Sequence, residues 1–166
     1  MKKIVLTYGL ISGAIGAVLL VAHVPFMDGS SRALIVGYAG IVVSALLIFF
    51  GVRSYRENVG NGKITFGRGL AVGILIALIS SACYVVAWEV VYFGNPTIAD
   101  HIFSTPIEDL KAKGAPQAEI DAAVVEVESF RKLFANPFVN AAFTFFEPFP
   151  VGALVALISA VILRRK

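Results

Sequence analysis

Four long apolar runs, separated by charged or turn-rich stretches, decide what this chain can fold into. They cover residues 4–26, 33–52, 69–93 and 138–163. A helix needs roughly 20 apolar residues to cross a hydrocarbon core of about 30 Å, and each run supplies that length. In lipid the backbone must satisfy its own hydrogen bonds, which a helix does within one segment. Composition agrees: 58% of the 166 residues are hydrophobic, against about 45–50% in a soluble domain. The opening Met1-Lys2-Lys3 would suit a signal peptide. However, the apolar stretch behind it exceeds an h-region of about 7–15 residues, and no Ala-x-Ala site closes it. The expectation is a retained helix. The predicted fold is all-α: a polytopic membrane protein, one membrane domain over residues 1–166, built as a bundle of four transmembrane helices. An extracytoplasmic helical hairpin over residues 94–137 joins spans three and four.

Lysine and arginine set the expected orientation. One side of a four-span chain carries Lys2, Lys3, Arg53, Arg56, Lys63, Arg68, Arg164, Arg165 and Lys166, opposed only by Glu57. The other carries Arg32, Lys111, Lys113, Arg131 and Lys132 among many acids. The first side is expected to be cytoplasmic, with both termini there. The net charge of +3 thus reads as a topology signal and not as a nucleic-acid footprint. The single cysteine, Cys83, lies in an apolar run, so neither a disulfide framework nor a CxxC metal motif is available.

The loops carry their own signals. Met27 to Arg32 reads as a tight outer turn. The inner segment from Arg53 to Arg68 holds the turn residues Asn58, Gly60, Asn61 and Gly62. Arg53, Arg56, Lys63 and Arg68 make it an interfacial basic loop facing anionic lipid, with Tyr55 and Phe66 at headgroup level. In the outer segment, Ser104-Thr105-Pro106 predicts a helix start and Gly114 its end. Pro116 opens a second helix, on which Ile120, Val124, Val127, Phe130 and Phe134 form one apolar stripe. Asn136-Pro137 closes that helix.

Gly9 and Gly13 in span one, with Gly16 beyond them, Gly69, Gly73 and Ala77 in span three, and Gly152, Ala156 and Ala160 in span four give small-xxx-small spacing, which permits close helix approach. Packing within the chain is the expected use, and a homodimer seam the other. Residues 72–80 and 151–159 also share a string of similar residues, read here as common composition.

Charges inside a bilayer are costly and mark candidate sites. At about 1.5 Å per helical residue, Glu89 lies about 31 Å from Arg68, Glu147 about 25 Å from Arg164, and His23 about 30 Å from Lys3. His23, Glu89 and Glu147 therefore share one depth on three spans. They are candidates for an ion, proton or polar-pocket site, although aromatic neighbours also suit an interfacial belt. Pro148 and Pro150 predict a kink in span four beside Glu147. No metal motif, phosphate loop or nucleophile elbow is present in the sequence, so no cofactor, metal or catalytic residue is assigned.

Four stretches resemble a known family of bacterial membrane proteins, the domain of unknown function 4199 family. They are Lys2-Lys3 with residues 8–13, residues 49–56 with 62–67, residues 132–137, and residues 149–152 running into the Arg164-Arg165-Lys166 tail. The resemblance implies a bacterial inner-membrane location and a four-helix layout, and no activity. The functional expectation is a non-enzymatic scaffold or interaction protein of that membrane. Its partners are membrane lipid, a second copy of the chain, and an unidentified protein at the outer hairpin, and nucleic acid is not among them. The alternative is a small transporter or an ion- or proton-binding protein using Glu89, Glu147 and His23.

Overall fold

Apolar runs of this length become helices. The computed structural model, which describes residues 1–26 and 31–165, shows α1 (Lys2–His23), a 3-10 turn (Val24–Phe26), α2 (Ser31–Asn58), α3 (Phe66–Gly94), α4 (Pro96–Ala112), α5 (Gln117–Phe134), α6 (Pro137–Phe145) and α7 (Pro148–Leu163). Among the described residues, four segments are long and apolar enough to cross a membrane: α1, α2, α3, and α6 with α7. The turn expected from Met27 to Arg32 falls mainly on residues 27–30, outside the described residues.

α3 is the centre of the bundle. It packs on α1, α7 and α2, while α2 packs on α1 and α7. α1 and α7 therefore flank the α2–α3 pair and share little or no contact. The core at the end holding the chain's tail gathers Val5, Ile48, Val52, Tyr55, Ile64, Val72, Ile76 and Leu163. The outer faces stay apolar and accessible, as at Leu10, Val18, Ile35, Phe50, Leu154 and Val161. Because lipid gives no hydrophobic drive for helices to associate, close packing must hold this bundle.

The small residues provide it. A Cβ at Gly13 would lie 2.5 Å from Cys83 Cβ, and one at Gly9 2.8 Å from Ile79 Cβ, so α1 sits directly on α3. At Gly16 the neighbour is Ser44 Oγ of α2, at 3.3 Å. The two similar strings turn out to be partners. A Cβ at Gly73 would lie 2.6 Å from Ala156 Cβ, and one at Gly152 would lie 3.0 Å from Ala77 Cβ. Gly73 and Gly152 are the second residues of their strings, and Ala77 and Ala156 the sixth. Two antiparallel helices with the same small-residue spacing thus fit each other reciprocally. Serine hydroxyls add polar links between α1, α2 and α3: Ser12 Oγ donates to the Ser44 carbonyl at 2.7 Å and meets Ser80 Oγ at 2.9 Å.

Several boundaries differ from the sequence expectation. α2 runs six residues past its apolar stretch, so Arg53 and Arg56 sit on its last turns, and Arg68 sits on the first turn of α3. Only Lys63 lies on the connecting turn. Arg53 Nε and Glu57 Oε1 pair at 2.9 Å across one turn of this extension and support it modestly. It stops where Asn61 (φ +50°) and Gly62 (φ +83°) enter the left-handed region. Tyr55, expected at headgroup level, is buried in the core. Ile64 and Arg165 exchange backbone hydrogen bonds at 3.0 Å, which pins this turn to the chain's tail.

The segment between spans three and four holds two helices, but the first starts eight residues before Ser104. Asn95 caps it, accepting from the Thr97 N–H at 3.2 Å, with Pro96 in the first turn. Pro106 lies inside α4. The Thr105 hydroxyl donates to the His101 carbonyl at 2.7 Å, so a residue read as a cap bonds back into a continuing helix. α4 ends at Ala112 with Gly114 (φ +68°) beyond it, and Pro116 and Asn136-Pro137 bound α5 as expected. Span four, expected to kink, is interrupted outright at Phe146-Glu147 between α6 and α7. Pro148 and Pro150 cannot donate to the preceding turn.

Candidate functional site

The interruption at Glu147 creates a gap. α7 packs on α2 and α3, whereas α6 packs on α3 and α5 with little or no contact to α2. A cavity of about 720 Å³ opens there, walled by α1, α2 and α3 and closed by parts of α4, α5 and α6. That volume lies within the roughly 300–1,000 Å³ typical of small-molecule sites. On the α2 side its lining residues Leu34, Val36, Tyr38 and Val43 remain accessible.

α3 lays Tyr84, Trp88 and Tyr92 along one face at four-residue spacing, and all three line the cavity. Phe134 joins them: its ring lies 6.5 Å from that of Tyr92, 6.3 Å from Phe103 of α4 and 5.5 Å from Phe143 of α6. The two ends of the α5 stripe pack inward, with Ile120 buried and Phe134 in the aromatic cluster, while Phe130 lines the cavity and, like Val124, stays accessible. Arg131 pairs with Asp100 across α4 and α5 and lies 5.7 Å above the Phe103 ring. These contacts fold the helix pair over the cavity.

Polar groups in this apolar setting are few and placed. The Tyr84 hydroxyl donates to Glu147 Oε2 at 3.4 Å. Trp88 Nε1–H donates to Asn140 Oδ1 at 2.8 Å, Thr144 Oγ1 donates to the same oxygen at 3.3 Å, and Asn140 Nδ2 donates to the Phe134 carbonyl. Asn140 is fully buried, and this amide fixes both the Trp88 ring and the end of α5. Asn140→Ala would leave the indole N–H and the Phe134 carbonyl unpaired. The expected cost is about 1–2 kcal/mol, checked by unfolding in detergent followed through Trp88 emission.

Of the three titratable groups expected to share a depth, His23 and Glu147 line the cavity, and Glu89 is not among its lining residues. His23 is only 8% exposed, and its Nδ1 has no hydrogen-bond partner among the described residues. It packs across Gly37 of α2, where a Cβ would lie 3.3 Å from its Nε2. Glu89 is half-buried, with Oε1 enclosed and unpartnered among the described residues. Pro148 and Pro150 follow the break that places Glu147, and Gly9, Gly13, Gly16 and Gly152 serve helix contacts. No group of three or more metal-ligating side chains occurs among the described residues. Sequence reasoning passed over Asn140. The available signal was an amide and a hydroxyl, Asn140 and Thr144, one turn apart inside an apolar span.

The family model described as "Protein of unknown function (DUF4199)" matches residues 7–165. No curated protein and no solved structure matches the chain.

Proposed function

Since the chain belongs to that family, whose description carries no activity, we propose from the site itself that it is a non-enzymatic interaction protein of a bacterial inner membrane whose cavity holds a lipid-like molecule. The observation that carries this reading is the apolar, aromatic-walled cavity at the broken fourth span, with its few fixed polar groups. The amphipathic stripe on α5, which in the sequence suggested a protein partner, is engaged at Ile120 and Phe134 and leaves Val124 and Phe130 accessible. Placing the tail end in the cytoplasm, with both termini there, rests on the charge asymmetry.

Two experiments test the reading. Native mass spectrometry of the detergent-purified protein with added dodecanol should show a retained one-to-one adduct, and its absence would remove the ligand-binding function. Single cysteines in a Cys83→Ala background should react with a membrane-impermeant maleimide from outside intact cells at Lys113 and only after lysis at Lys63. The reverse pattern would overturn the orientation.

A further inference from the structure

We propose that the ligand is an amphipathic cation, a long-chain alkyl ammonium whose head is held by Glu147 and whose chain fills the cavity. This rests on the reading of the cavity as a ligand site and adds the chemistry of the head. No lysine or arginine is among the described lining residues, and Glu147 is the carboxylate there. Arg131, which packs over Phe103, is engaged by Asp100 and Glu128 and does not line the cavity. An anionic head would thus meet a carboxylate and no compensating cation.

Glu147 has acceptor capacity to spare. An ionised carboxylate offers about four lone-pair sites, and among the described residues only the Tyr84 hydroxyl bonds to it, at 3.4 Å. Tyr84, Trp88 and Tyr92 line the same space, and aromatic rings attract a desolvated cation over their faces. His23 Nδ1 is a second polar atom without a described partner, on a side chain more than nine-tenths buried in the cavity wall. That atom is itself enclosed, so Glu147 is the group that meets the head. The gap between α2 and α6 supplies a route from the bilayer, where such an amphiphile partitions.

The test uses three probes with the same chain and different heads: dodecylamine, dodecanol and laurate, bound at neutral pH to the detergent-purified full chain and read by native mass spectrometry. The amine is expected to bind at least about tenfold more tightly than the alcohol, with laurate weakest. Glu147→Gln should bring the amine down to the level of the alcohol and leave dodecanol binding unchanged, and Glu147→Asp should keep the preference. Equal binding of amine and alcohol, a preference for laurate, or a Glu147→Gln variant that weakens amine and alcohol alike would overturn the cationic head and leave the cavity reading in place. Failure of all three probes to bind would overturn the cavity reading and this inference together. Should Glu147→Gln not fold, the ranking of the three probes on the unaltered protein decides the proposal.

Discussion

Gly73→Val destabilises the bundle by about 2 kcal/mol or more, because overpacking a close seam forces backbone or rotamer shifts. The added Cβ would lie 2.6 Å from Ala156 Cβ and 3.0 Å from Ala156 Cα. The second contact is with backbone, so no side-chain rotation relieves it, and α3 and α7 must part. Parting them also disturbs Gly152 on Ala77 and Gly69 on Ala160, since all three contacts lie on one seam. Gly67→Ala is the control. Nothing lies within 4 Å of a Cβ there, and alanine in place of glycine in a helix favours folding by up to about 1 kcal/mol. Detergent unfolding of both variants should show opposite signs. Equal effects would mean that the seam is not a close contact.

The second large effect is expected from filling the cavity. Ala39 and Val43 lie one turn apart on α2, line the cavity and are accessible. Ala39→Phe combined with Val43→Phe should occupy the volume beside the gap to α6. Binding of dodecanol and dodecylamine should fall by at least about tenfold, while the unfolding midpoint moves little. Such a variant separates loss of the ligand site from loss of the fold. Unchanged binding would place the ligand elsewhere.

The spans were legible because an apolar run of about 20 residues has few alternatives to a membrane helix. The helix contacts were half legible. Spacing marked Gly13, Gly73 and Gly152 as approach points, but only the antiparallel arrangement shows why residues 72–80 and 151–159 look alike. Ser104-Thr105-Pro106 misled because a hydroxyl before proline is as ready to bond back to a carbonyl one turn earlier as to start a helix. The stronger signal was Asn95-Pro96. The break at Glu147 was visible as a proline pair, but whether the helix bends or stops depends on what α6 packs against.

The fate of the acids shows the limit most clearly. Depth along a helix follows from counting, and it placed His23, Glu89 and Glu147 together. Direction around the helix does not follow until one face is assigned. Tyr84, Trp88 and Tyr92 define the cavity face of α3. Glu89, one residue past Trp88, is turned from it by about 100°. Two carboxylates at one level therefore face different surroundings, and only Glu147 reaches the cavity.

Whether the cavity holds a lipid-like molecule can be read from Trp88, the single tryptophan of the chain, which lines it. Dodecanol brominated at its terminal carbon is titrated into the detergent-solubilised protein while Trp88 emission is recorded. A molecule held in the cavity gives quenching that saturates, reverses with unlabelled dodecanol, and is lost when Ala39→Phe and Val43→Phe fill the cavity. Quenching that rises in proportion to the probe's share of the micelle, and is the same in the filled variant, would contradict binding in the cavity.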